Sequence, residues 1–187
     1  MNVITNHLAV FAAILGSLSG SLLALGILEE ALAFFGTIYA LFLTPVIGYI
    51  LYRRYAVSLK SGLLLVLWLI VGTVSWYSAF FVVMLTTGQL GSMTFAVALA
   101  SILGFSIVWL YVCFLEKTFD FFVYLKKALG VSLAAALCVW LAFATGGEFD
   151  GFLDGVGIDV IHIVWQALVS YFMVSHLTTD TFNIANR

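Results

Sequence analysis

The sequence predicts an all-α membrane bundle: about six transmembrane helices forming one domain over residues 1–187. Three observations predict it. Hydrophobic residues make up 64% of the chain and charged residues only 9%, too little polar surface to coat a water-soluble domain. Apolar runs of about 18 residues or more, the length a spanning helix needs, recur along the whole chain. The basic residues are spaced so that six spans put all of them on one side.

Taken in order, helix 1 is expected over 8–28, ending at Glu29 and Glu30. Met1 to His7 carries no Lys or Arg, and the apolar run that follows is too long for a signal-peptide core, so it is expected to be a retained span. Within it, Gly16 and Gly20 form a G-x-x-x-G pair, which permits close helix approach. Ser17 to Gly20 only partly matches a Gly-x-Ser-Gly protease motif, since Ser17 stands at the first glycine position, so packing is the expected role. Helix 2 is expected over 31–52, with a kink at Thr44-Pro45 because proline removes a backbone donor. Helix 3 is expected over 61–85 and helix 4 over 93–115. The apolar core of helix 5 is expected over 128–144, preceded by Thr118 to Lys127, an amphipathic stretch. That stretch either lies on the membrane surface or begins helix 5 with Lys126 and Lys127 snorkelling to the interface. Helix 6 is expected over 156–177.

Orientation follows from charge. Arg53, Arg54 and Lys60 flank the connection between helices 2 and 3, Lys117, Lys126 and Lys127 flank that between helices 4 and 5, and Arg187 ends the chain. The positive-inside rule makes this face cytoplasmic, with both termini on it. Glu29, Glu30, Glu148, Asp150 and Asp154 then face outward. A bacterial inner membrane is the expected location.

Two local similarities suggest a 3+3 inverted repeat. Ile14-Leu15-Gly16 matches Ile102-Leu103-Gly104, 88 residues on, and Leu28-Glu29-Glu30 with Phe34-Phe35 matches Leu115-Glu116-Lys117 with Phe121-Phe122, 87 residues on. Three spans per copy would invert the second copy across the bilayer, as in many transporters; chance similarity between apolar segments is the competing explanation.

Polar residues inside spans are the natural place to look for function. Helix 6 holds the best set: Asp159, His162, Gln166 and Ser170, spaced three, four and four apart and therefore on one face. Three roles compete for this stripe. It lines a transport or proton path, with Asp159 and His162 exchanging a proton. It belongs to a lipid hydrolase or metal site, for which one Asp and one His supply too few ligands. Or it hydrogen-bonds to neighbouring helices and holds the bundle together.

The remaining features are expected to be structural. Ser101 and Ser106 belong to helix packing, and Cys113 and Cys138 stand apart as small apolar residues outside any metal or redox spacing. Trp76, Trp109 and Trp165, with Tyr77 and Tyr111, either fill space between helices or line an aromatic cavity. Gly146 to Gly157 lacks calcium-loop spacing and is expected to be a solvated outer loop.

Seven Lys and Arg rule out a nucleic-acid footprint. No P-loop, H-E-x-x-H helix or haem-ligand pair is present, so neither an enzyme nor a cofactor is expected, and no family resemblance is specific enough to name. Two functions remain. One is a small transporter or channel with its path along helix 6; the other is a non-catalytic subunit or assembly factor of a larger membrane complex. The expected partners are the lipid bilayer and either further copies of the chain or other membrane subunits.

Overall fold

The computed structural model describes the backbone of residues 3–24, 35–90, 93–144 and 156–184, with side chains over 6–22, 37–83, 85–86, 93–141 and 160–178. Over those residues the chain is an all-α bundle: α1 Val3–Ala24, α2 Phe35–Tyr55, α3 Leu59–Leu90, α4 Met93–Glu116, α5 Phe121–Ala144 and α6 Val156–Ile184, with no strand among them. Four helices are long and apolar enough to cross a membrane, through Leu59–Val83, Met93–Glu116, Phe121–Leu141 and Val160–Thr178, and α1 contributes the shorter apolar stretch Asn6–Leu22.

Two connections share one construction. Ala56 ends α2 and Lys117 ends α4 in the left-handed backbone region, with φ of 53° and 57°. Each closes the helix by donating its N–H four residues back, Ala56 to Tyr52 O at 2.9 Å and Lys117 to Cys113 O at 2.8 Å. The next helix is then capped. Ser58 and Ser61 bond reciprocally at the start of α3, N to Oγ, at 3.1 and 3.2 Å. At the start of α5 the Val123 N–H donates to Asp120 Oδ1 at 3.0 Å. The segment from Phe121 to Lys127 is therefore the first two turns of α5, continuous with the helix, because Asp120 caps it there.

Such short connections force antiparallel neighbours. The bundle closes on itself, each helix packing on the next and α6 returning to α1, while α6 also touches α2 and α4. The α1–α6 pair is the most extensive of these packings. Gly16 lies opposite Gln166 and Ser170, and Gly20 opposite Ile163, so α1 and α6 run antiparallel. The last turns of α2 and α4 meet the carboxyl-terminal part of α6, because Arg54 pairs with Glu116 and donates to Leu177 O at 2.6 Å. Arg53, Arg54, Lys60, Lys117, Lys126 and Lys127 consequently gather at one end of the bundle.

Polar side chains stitch the helices mainly through backbone carbonyls. Trp68 Nε1 donates to Ala40 O at 2.9 Å, Ser75 Oγ to Gly104 O at 2.7 Å, Tyr111 OH to Leu64 O at 3.1 Å and Ser132 Oγ to Ala98 O at 3.1 Å. In a bilayer, where packing and hydrogen bonds carry association, these bonds hold the helices in register. Pro45 sits inside α2, which continues past it. One turn earlier, Ala40 O accepts both Thr44 Oγ1 at 2.9 Å and the Trp68 indole, so side-chain donors support the backbone around the proline.

A candidate polar site at the α1, α2 and α6 junction

The site begins with a steric fact about α1. A Cβ on Gly16 would lie 2.6 Å from both Gln166 O and Ser170 Oγ, and one on Gly20 would lie 2.8 Å from Ile163 Cα. Only glycine allows α6 this close, and the closeness brings the polar face of α6 into the interior against α1.

Gln166 and Ser170 are fully buried. Ser170 Oγ donates to Gln166 O at 2.5 Å, the bond back to the preceding turn that a buried helical serine commonly makes. Ser19 Oγ lies 2.5 Å from Gln166 Oε1 and 2.7 Å from Gly16 O. One hydroxyl proton serves only one of these acceptors. If the carboxamide is turned over, Nε2 donates to Ser19 and Ser19 donates to Gly16 O. In either orientation one end of the Gln166 amide has no partner among the described residues. From α2, the buried Tyr39 hydroxyl is directed at Ser170 without closing a bond of normal geometry. Two polar groups with unused hydrogen-bonding capacity thus meet where three helices converge, near the middle of α6.

Of the four residues expected to form the helix 6 stripe, Gln166 and Ser170 share this junction. His162, half-buried, lies one turn away with its ring stacked on Trp76 at 5.7 Å. Asp159 falls in the first turn of α6, and its side chain lies outside the described residues. The loop acids Glu148, Asp150 and Asp154 and the pair Glu29 and Glu30 also lie outside them, as does Arg187.

Sequence reasoning missed Tyr39 as a member of the site and assigned Ser19 only to helix packing. No local signal marks Tyr39, one aromatic in an apolar run. Ser19 had a signal, its place inside the G-x-x-x-G pair, but its partner lies 147 residues away.

The tryptophans pack as rings. Trp68, Trp76, Trp109 and Trp165 are buried, whereas Trp140 is exposed on the outer face of α5. Trp68 contacts Tyr39 and Tyr111 with centroids 6.2 and 5.6 Å apart, and Trp165 contacts Tyr39 at 6.1 Å. The edge of Trp165 fits against Gly104, where a Cβ would come within 2.6 Å of the indole. Among the described residues no three His, Cys, Asp or Glu side chains converge as a metal site would require.

No protein-family description, curated protein or solved structure matches the chain.

Proposed function

We propose that the protein is a small integral membrane transporter or channel whose polar path runs along α6, by way of Asp159, His162, Gln166 and Ser170. The observation that carries this reading is the pair of under-bonded polar groups, the Gln166 amide and the Tyr39 hydroxyl, buried at one three-helix junction. Leaving such groups unpaired in a low-dielectric interior costs about 1–3 kcal/mol each. A polar solute or water passing through would supply the missing partners.

This reading includes the 3+3 inverted repeat. Gly16 of α1 meets Ser170 of α6, and its counterpart Gly104 of α4 meets Ser75 of α3, so both Ile-Leu-Gly segments sit at a close glycine-to-serine helix crossing. In this reading the chain spans the membrane six times, with the basic end cytoplasmic.

A second reading, a non-catalytic subunit of a larger complex, is favoured by a different observation. Trp68, Ser75 and Tyr111 are already spent on carbonyls of neighbouring helices, as structural groups would be.

Proteoliposomes separate the two. Stopped-flow light scattering with urea and glycerol, and an internal pH dye for protons, measure flux above protein-free vesicles. The transporter reading expects such flux, reduced several-fold in Gln166→Leu and Tyr39→Phe. It fails if no probe crosses faster than in empty vesicles and the protein leaves its native membrane with a partner in fixed ratio. That outcome establishes the subunit reading.

A further inference from the structure

We infer that the α4–α5–α6 junction at the basic end binds the phosphate of an anionic phospholipid headgroup. The inference starts from Lys127, two turns into α5. Its Nζ donates to Phe172 O at 3.3 Å and lies over the Trp109 ring, 4.8 Å from the centroid, with the Phe172 ring at 5.9 Å. The ammonium is thus drawn inward to α6, away from the solvated snorkelling position its long stem would allow.

No carboxylate accompanies it among the described residues. The ion pair among the described residues joins Arg54 to Glu116, so the acid at the end of α4 is already neutralised. An ammonium has three donors, and Phe172 O uses one.

An independent observation points to the same junction. Trp109, only 2% exposed, has an indole N–H with no hydrogen-bond partner among the described residues. Trp109 is the residue over whose ring Lys127 sits. The junction therefore offers a charged donor and a neutral donor and, among the described residues, no anion that accepts from both.

The surroundings identify the anion's source. Lys126 next to it is exposed, and Leu133 and Leu137, farther along α5 and away from the basic end, expose apolar surface. A lipid fits this pattern: phosphate on Lys127 and Trp109, acyl chains along Leu133 and Leu137 toward the far end of α5. Basic pockets between spanning helices at a cytoplasmic face hold lipid phosphates in this way.

Native mass spectrometry of the full chain, extracted in a neutral detergent and given phosphatidylglycerol or phosphatidylcholine, tests the site. Wild type should retain phosphatidylglycerol in preference. Lys127→Gln should lower that retention about five- to tenfold, the effect of roughly one lysine charge at a lipid phosphate. Lys127→Arg should preserve it, and Lys126→Gln should change it little. Trp109→Phe, which keeps the ring and deletes the N–H, should lower it to a smaller extent, and this variant carries the test if Lys127→Gln does not fold. Equal loss in Lys126→Gln and Lys127→Gln would mean diffuse surface charge and overturn the site, as would undiminished retention in both Lys127→Gln and Trp109→Phe. Inorganic phosphate that displaces the lipid completely would overturn the assignment to a headgroup in favour of a soluble anion.

Discussion

Replacing Gly16 by alanine is the most direct test of how α1 and α6 are held together. In an exposed helix the exchange gains about 1 kcal/mol, since alanine restricts the unfolded backbone and glycine does not. At Gly16 the new Cβ would sit 2.6 Å from a backbone carbonyl oxygen of α6, whereas ordinary contact begins at 3.4 Å. Backbone cannot swing aside as a flexible side chain can, so the helices must separate by something approaching the 0.8 Å difference between those two distances. A gap of that order forfeits about a quarter to a half of the dispersion energy of the atoms along the seam. Overpacking of this kind costs about 1–3 kcal/mol, which equals or exceeds the propensity gain. Separation also pulls Ser19 away from Gln166, costing about 1 kcal/mol more. The net expectation is a loss of about 1–3 kcal/mol, or a melting temperature lower by several degrees at about 2–4 °C per kcal/mol. The internal control is Gly62→Ala in α3, where a Cβ would meet nothing within 4 Å and the exchange should be neutral or stabilising. Thermal unfolding in one detergent, followed by intrinsic fluorescence and by size-exclusion recovery, compares the two. If Gly16→Ala melts at or above wild type, α1 and α6 are not in the contact described and the geometry of the polar junction is wrong with it.

Three further outcomes follow from the structure. Arg54 and Glu116 have side chains only 11% and 7% exposed, so Arg54→Met alone should cost about 3–5 kcal/mol by removing the guanidinium from a buried carboxylate, and Arg54→Met with Glu116→Leu should recover most of it, in a double-mutant cycle of melting temperatures. Ala56→Gly should raise stability by up to about 1 kcal/mol, because glycine adopts the positive φ at no steric cost; a lower melting temperature would contradict the turn described. Trp68→Phe, which removes the donor to Ala40 O one turn before Pro45, should cost about 1–2 kcal/mol and speed amide exchange in that turn, measured by mass spectrometry.

How much of this was legible in the sequence depended on the range of the interaction. Helix identity was legible because hydropathy is local: backbone groups in hydrocarbon must be satisfied within the segment itself. The clustering of the basic residues at one end was legible because only the parity of the helices matters to it. The beginning of α5 was not, since Phe121 to Lys127 suits a surface helix equally well and the Asp120 cap decides it. The same limit applied to the stripe on helix 6. Spacing put Gln166 and Ser170 on one face, but the direction of that face depends on where two glycines on α1 permit close approach, and that approach spans most of the chain.

The sequence by itself determined that this chain forms apolar helices, that its short connections make neighbours antiparallel, and that its polar residues within those helices are few. All are consequences of composition and of contacts between near neighbours. Only the tertiary structure decided which of those residues meet. Ser19, Tyr39, Gln166 and Ser170 come from three helices, and Lys127, Trp109 and Phe172 from three, joined by packing between segments that share no local pattern. Side-chain shape and glycine placement select those partners, and neither can be evaluated until the helices are set against one another.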